Sequence, residues 1–269
     1  MADKLVLVGA GNMGGALLAG WLDGKAGFDI AVVDPKPSDA MAAKMAAHGV
    51  AHFMNAGEAP VADYLVVAVK PQMMAAVLPQ LTSLVSADTV VVSVAAGTSV
   101  ASLAAPFGDA TRVVRVMPNT PALVGRGMSV CFANDHVSDA QSASIDTLMT
   151  AVGEVAWIDD ESQMDAVTGV SGSGPAYVFH LAEALAQAGV AAGLDAKLAD
   201  QLARATVSGA GELIAQSSDT PATLRQNVTS PNGTTQAALE VLMGEGGFPD
   251  LLPRAVKAAA DRSRELSKE

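Results

Sequence analysis

The sequence predicts an α/β chain, with a doubly wound parallel sheet in its first part and an all-helical C-terminal part. Three observations carry this. Short β-branched runs alternate with segments of helical spacing as far as about residue 160. Those runs are almost continuously apolar, as strands covered on both faces are. From Asp160 onward the β-branched runs stop and Ala/Leu-rich segments at helical spacing take over. The expected division is therefore 1–160 and 161–269.

The expected strands are Leu5–Val8, Ile30–Val33, Tyr64–Val69, Thr89–Val94, Arg112–Met117, Met128–Phe132 and Glu154–Ile158. Each is rich in Val, Ile, Leu or aromatic residues and is bounded by turn formers. The expected helices between them are Met13–Leu22, Ser38–His48, Gln72–Leu84, Val100–Ala105 and Asp139–Ala151. The C-terminal part holds Glu161–Gly169, Ala176–Ala192, Ala196–Gln216, Pro221–Asn227, Thr235–Met243 and Pro249–Leu266. Pro221 after Thr220 reads as proline in the first turn of a helix capped by threonine. Gly189, Gly193, Gly209 and Gly211 let these helices pack closely, and a second subunit is expected to cover much of their remaining apolar surface.

Half of the 269 residues are hydrophobic and 16% are charged. No run reaches the roughly 18 to 20 apolar residues of a membrane span. The start, Met1 to Lys4, leads directly into Leu5–Gly9 without the pattern of an export leader, so a cytoplasmic protein is expected. One cysteine, Cys131, excludes an intrachain disulfide and suits a reducing compartment. His48, His52, His136 and His180 have no metal-ligand spacing, so no metal is expected. A net charge of −12 opposes binding to nucleic acid and to anionic membranes.

Gly9-Ala10-Gly11-Asn12-Met13-Gly14 follows the first expected strand and opens the first expected helix. In that context the first glycine permits the tight turn and the second lets backbone approach a pyrophosphate. The third lets the helix pack on the strand. Unpaired N–H groups and a partial positive charge at the helix start receive the anion. The pattern reads as a Rossmann-type dinucleotide site with Gly9, Gly11, Asn12, Met13 and Gly14 at the phosphates. Asp34 ends the second strand about 20 residues past the last glycine, where a carboxylate accepts from a ribose 2′-hydroxyl and favours NADH. Lys36 points the other way, because an ammonium there pairs with a 2′-phosphate, to which Ser38 adds a donor. Asp34 can equally be a turn residue before Pro35, and Lys36 a solvated charge. NADPH and NADH both stay open as the cofactor.

Five further segments extend beyond a generic dinucleotide fold. Ala68–Pro71, Ser93–Gly97 and Met117–Pro121 each lie at the end of an expected strand, where ligands bind in open α/β sheets. Gly169–Tyr177 and Ser230–Thr235 lie in the helical part. Together with the glycine motif, and in this order, they resemble the pyrroline-5-carboxylate reductase family over essentially the whole chain. The resemblance implies a Rossmann domain, a helical domain that dimerises, and an active site between them. It implies hydride transfer from NADPH or NADH to the imine carbon of Δ1-pyrroline-5-carboxylate, giving L-proline, by a homodimer or a larger homo-oligomer of dimers. Carried over by position, Asn55 contacts the adenosine ribose region. Ala68, Val69, Lys70 and Pro71 line the nicotinamide end with Ala95, Ala96 and Gly97, and Asn119 belongs with the cofactor residues. Ser230, Gly233, Thr234 and Thr235 hold the substrate, Asn227 and Glu161 lie near it, and Thr235 is the catalytic residue. The chain departs from the family at Asn232, where a glycine is usual after Ser-Pro, and at Asp34, where many members carry a neutral residue. Asn tolerates a left-handed backbone, so the loop geometry is expected to survive.

A small cyclic imino acid offers a carboxylate and an imine nitrogen. A Gly-containing loop leading into a helix exposes N–H groups to the carboxylate, and the hydroxyls of Ser230, Thr234 and Thr235 add adaptable donors and acceptors. Thr235 is assigned to the nitrogen, the alternative being that Thr234 or Thr235 caps its helix. These segments hold no evident acid–base pair. A cyclic imine takes its proton from solvent, so positioning can supply much of the catalysis. Lys70 adds positive potential or is a surface cation. Tyr177 and His180 read as packing or interface residues, Cys131 as a small buried hydrophobe, and Arg115 as half of a structural ion pair. A β-hydroxyacid dehydrogenase shares the architecture but places a lysine on the helix after its glycine-rich segment, and Pro175–Gly189 contains none. A reductase of another cyclic imine and a nucleotide-sensing protein without catalysis are the remaining readings. The intact Thr235 and glycine loop argue against the latter.

Overall fold

The structure, a computed structural model, describes residues 2–24 and 27–267. Its strands are β1 (Lys4–Val8), β2 (Asp29–Val33), β3 (Ala51–Phe53), β4 (Ala62–Val67), β5 (Val85–Ser93), β6 (Arg112–Met117), β7 (Gly127–Ala133) and β8 (Gly153–Trp157). They form one sheet in the order β3-β2-β1-β4-β5-β6-β7-β8. The helices are α1 (Asn12–Gly24), α2 (Asp39–Ala47), α3 (Met74–Val77), α4 (Val100–Ala104), α5 (Asp139–Thr150), α6 (Met164–Val167), α7 (Gly174–Ala191), α8 (Ala196–Gln216), α9 (Pro221–Asn227), α10 (Thr234–Met243) and α11 (Phe248–Leu266).

Alternate residues along the apolar strands serve the two faces of the sheet. Leu5, Leu7, Val32, Val66, Val90, Val92, Val114 and Val116 join Leu17, Leu18 and Trp21 of α1 and Ile145, Leu148 and Met149 of α5. Val6, Val8, Val33, Leu65, Val67, Val91 and Val113 join Met74, Leu78, Leu81, Leu84 and Leu103 on the other face. Trp21 Nε1 donates to the Leu148 carbonyl over 2.8 Å, which ties α1 to α5 inside the first core. Cys131 is fully buried there as well. Ser38, Ser99 and Ser138 cap α2, α4 and α5, and Ser138 forms a capping box with Gln141.

The doubly wound α/β class holds, with local departures. β7 pairs antiparallel to β6, and β8 pairs parallel to β7, so the last two strands run against the first six. The connection from Met117 to Gly127 carries only a 3-10 turn closed by Gly125 at φ 68°. A parallel crossover needs a dozen or more residues, so the chain turns straight back. The expected helix over Gln72–Leu84 is broken into a 3-10 turn, the four residues of α3 and a 3-10 segment begun by Leu78-Pro79. A proline there cannot donate to the preceding turn. The expected helix over Glu161–Gly169 is likewise a 3-10 turn, then α6, then a π-turn over Thr168–Gly172. β3, three largely exposed residues at the sheet edge, lies outside the expected strands.

The chain divides into two compact units, Met1–Gly172 with Ala259–Glu269, and Ser173–Ala258. In this division residues 161–172 and the end of α11 go with the sheet. Side chains over 161–171 account for this, because Glu161 pairs with Arg115, Asp165 with Ser263, and Ser171 with Asn119. In the second unit α7 packs on α8, and the only buried residues are Ala199 and Ala203. Phe179, Leu202, Leu213, Ile214 and Val241 are exposed.

Candidate active site

The strand order reverses beside β1, the place where open α/β sheets leave a ligand crevice at the carboxyl ends of their strands. The glycine segment leaves β1 there. Gly9 has φ 90°, and a Cβ on it would lie 3.0 Å from the Ala68 carbonyl oxygen. A Cβ on Gly14 would lie 2.0 Å from the Gly9 carbonyl oxygen, which no side chain tolerates. Gly11 is the opposite case. It is exposed, and a Cβ built on it meets nothing within 4 Å. Packing of the chain therefore explains Gly9 and Gly14 and leaves Gly11 unexplained. An exposed glycine just ahead of the first N–H groups of α1 leaves room for an anion to approach the backbone there.

Asp34, just past β2, is tied into this loop. Its Oδ2 accepts from the Ala10 N–H over 2.7 Å and its Oδ1 from the Lys36 N–H over 2.8 Å. The carboxylate thus braces the glycine turn and shapes the Asp34-Pro35-Lys36 turn. The Lys36 side chain is exposed, as are Asn12 and Asn55, and Asn55 Nδ2 donates to Glu58 Oε1 over 3.1 Å. Ala68 donates its N–H to the Val8 carbonyl over 2.8 Å, placing Ala68–Pro71 beside the glycine turn. Ala68, Val69 and Pro71 are half-buried and Lys70 is exposed. After β5, Ala95 and Gly97 are buried, and Ala96 is half-buried.

Two expected ligand residues have structural partners. Asn119 Oδ1 accepts from the Met128 N–H over 2.9 Å, and its Nδ2 donates to the Ser171 hydroxyl over 3.2 Å. Glu161 Oε1 accepts from the Val100 N–H over 2.8 Å and from Arg115 Nη1 over 2.5 Å. Arg115, buried inside β6, thereby finds the partner that its position demands. Asp160 caps the turn of 161–163, and the Ser162 hydroxyl and N–H hold its carboxyl below the ordinary range. Burial pushes the Cys131 thiol up to about 12, so it is no nucleophile.

In the second unit, Ser230–Gly233 leads into α10. Asn232 has φ 59°, the one positive φ outside glycine among the described residues, so the loop keeps its left-handed corner at this departure from the family. The Asn232 N–H donates to Gln236 Oε1 over 2.8 Å and the Gly233 N–H to the Ser230 carbonyl over 3.0 Å. A Cβ on Gly233 would lie 3.0 Å from that carbonyl, a tight fit that favours glycine at this corner. Gly233 is the N-cap of α10, and no side chain caps the helix. The capping alternative for Thr234 and Thr235 is thus not realised. Asn227 is exposed at the end of α9.

A curated pyrroline-5-carboxylate reductase of Pseudomonas aeruginosa is 42% identical to this chain, covering 99% of it and 97% of the relative. The chain belongs to the pyrroline-5-carboxylate reductase family. The profile of pyrroline-5-carboxylate reductase dimerisation matches residues 161–266, and that of coenzyme F420-dependent NADP oxidoreductases matches residues 4–97. A solved pyrroline-5-carboxylate reductase from Coxiella burnetii superposes with a TM-score of 0.91 at 34% identity, covering 100% of both chains. The Plasmodium falciparum pyrroline carboxylate reductase, solved with NADP bound, superposes with a TM-score of 0.82 at 29% identity, covering 98% of both chains. Membership makes the chain a reductase that uses NAD(P)H.

Within the family's Rossmann unit, the structure gathers Gly9–Gly14, Asp34 and Ala68–Pro71 around the carboxyl ends of β1, β2 and β4. The helical unit holds Ser230, Gly233, Thr234 and Thr235 in one turn. Sequence reasoning missed Ser171, Asp165 and Ser263 as partners. Asp165 and Ser263 stand 98 positions apart, and nothing local in the sequence marks such a pair.

Proposed function

We propose that this reductase binds its cofactor through Gly9–Gly14, Asp34, Lys36, Asn55, Ala68–Pro71 and Ala96, and its substrate through Ser230–Thr235. The reaction adds a hydride to the imine carbon of Δ1-pyrroline-5-carboxylate and leaves the ring nitrogen protonated, giving L-proline. A reduced nicotinamide supplies the hydride when bound. The chain's own work is to hold the reactants and to stabilise charge. The observation that carries the reading is the uncapped start of α10. Its first N–H groups have no partner within the helix, and among the described residues no hydrogen bond engages the side chains of Ser230, Thr234 and Thr235. Such a turn suits a carboxylate at the N–H groups and an imine nitrogen at the Thr235 hydroxyl.

Lys70, exposed at the end of the β4 segment, adds positive potential for an anionic substrate on a chain of net charge −12. Asn119 and Glu161 are better read as positioning residues, because their polar atoms already hold Met128, Ser171, Val100 and Arg115. The working form is a homodimer built through the helical unit, a reading supported by its exposed apolar side chains and by the dimerisation profile. Small-molecule chemistry in a reducing compartment, the cytoplasm, suits a chain with one cysteine. The deciding experiment follows NADPH and NADH oxidation at 340 nm with pyrroline-5-carboxylate and measures the proline formed. Folded protein that yields no proline with either cofactor refutes the assignment.

A further inference from the structure

The last turns of α11 are built against the loop that follows β5. Gly97 is buried at φ 72°, and a Cβ on it would lie 3.2 Å from Leu266 Cβ and 3.5 Å from the Ser263 carbonyl oxygen. The close approach therefore depends on a glycine that takes a left-handed backbone. Ser263 is itself buried, and its hydroxyl donates to Asp165 Oδ1 over 2.7 Å, while Arg264 Nε lies 3.6 Å from Asp165 Oδ2. Four residues before Asp165, Glu161 grips the other end of the same loop at the Val100 N–H. One short segment thus holds the loop twice, directly at Val100 and through α11 at Gly97.

The geometry points to a positioning device: Asp165, acting through Ser263, seats the end of α11 on Gly97 and so sets the placement of the Ala95–Gly97 loop for cofactor binding. This rests on the reading that the loop faces the cofactor at Ala96, the half-buried residue between buried Ala95 and Gly97. Asp165 and Ser263 are positioning residues and touch no reactant. A bond within the sheet unit has no direct bearing on the Ser230–Thr235 turn, so its loss weakens cofactor binding and leaves substrate handling nearly unchanged.

The test uses the full-length protein and titrates NADPH and NADH by fluorescence without substrate, alongside thermal melting and steady-state rates. Ser263→Ala and Asp165→Asn are expected to raise the cofactor Kd and KM about threefold to tenfold. The KM for pyrroline-5-carboxylate at saturating cofactor should change by less than twofold. Ser263→Thr keeps the hydroxyl and should restore most of the affinity. Thr220→Ala, which removes the cap of α9, serves as the control that lowers Tm without moving the cofactor Kd. If the Asp165 and Ser263 variants melt lower but bind cofactor as wild type does, these residues only stabilise the fold and the device is overturned. Equal losses for Ser263→Ala and Ser263→Thr would overturn it too. Wild-type protein that binds neither cofactor would instead sink the cofactor site itself.

Discussion

Replacing Thr235 with alanine separates a substrate ligand from a helix cap. The hydroxyl stands in the first turn of α10, whose N-cap is Gly233 and which has no side-chain cap to lose. Alanine is favoured over threonine in a helix by up to about 0.7 kcal/mol, so Tm should hold or rise slightly. If the hydroxyl holds the substrate, a neutral hydrogen bond is worth about 0.5–1.5 kcal/mol and one to a charged group about 1.5–3 kcal/mol. At 1.36 kcal/mol per decade, the first range is a loss of about twofold to tenfold. The second reaches about 150-fold, and the protonated imine places the expectation there. The assay is kcat/KM for pyrroline-5-carboxylate at saturating cofactor, with the cofactor Kd measured separately and expected to be unchanged. Thr235→Ser should keep much of the rate. An alanine variant with wild-type kcat/KM and a lower Tm would show that the hydroxyl serves the helix and that the substrate turn is misassigned.

Gly11→Val should melt like wild type, because its side chain enters open space, yet bind cofactor at least tenfold more weakly; Gly14→Ala should lose stability outright against the Gly9 carbonyl. Similar melting and similar cofactor affinity for the two variants would refute the separate roles. Lys36→Ala should raise the KM for NADPH and leave that for NADH nearly unchanged, and equal effects on both would remove the 2′-phosphate role. The Cys131 thiol, pushed up to about 12 by burial, should resist aromatic disulfide reagents at pH 8 until the protein is unfolded. Because its folded value lies above the unfolded one, its contribution to stability is present below about pH 9 and falls away as the pH rises towards 12, a trend that denaturant titrations across this range would read. Sedimentation at micromolar concentration should report a dimer or a multiple of dimers, and a strictly monomeric mass would contradict the proposed assembly.

The buried strands were legible because nothing competes with an apolar run such as Leu5–Val8 for a place inside the sheet. Weak or shared physical signals account for the elements that differ from expectation. The three residues of β3 are too short and too exposed to show a period. The direction of β7 is carried by the length of its connector to β6, not by its own residues. Pro79 sits where a helical pattern otherwise continues, and it turned Gln72–Leu84 into tighter pieces. At the site, the glycine spacing announced itself, whereas the uses of single polar residues did not. Asp34 has two readings in the sequence, a ribose acceptor and a turn residue before Pro35, and its oxygens take the Ala10 and Lys36 N–H groups as the turn reading expects. Asn119 and Glu161, ligands by the family resemblance, are each engaged by a backbone partner that sequence spacing cannot disclose.

Helical periodicity in the C-terminal part told which residues are apolar, but not which surface covers them. In one copy of the chain, Phe179, Leu213, Ile214 and Val241 each keep more than half of their surface exposed, at 66%, 53%, 52% and 75%. Full burial of such a side chain is worth about 1.5–3 kcal/mol, and association costs roughly 4–15 kcal/mol. A handful of these residues, covered together by a second copy, suffices to offset that cost. The helical unit, with only two alanines buried on its own, then draws its stability from the proposed partner. Because a partner stabilises by mass action, the melting temperature of the protein should climb with concentration. The Ser230–Thr235 turn belongs to this same unit, so its geometry and the catalytic rate should fail together with the dimer on dilution.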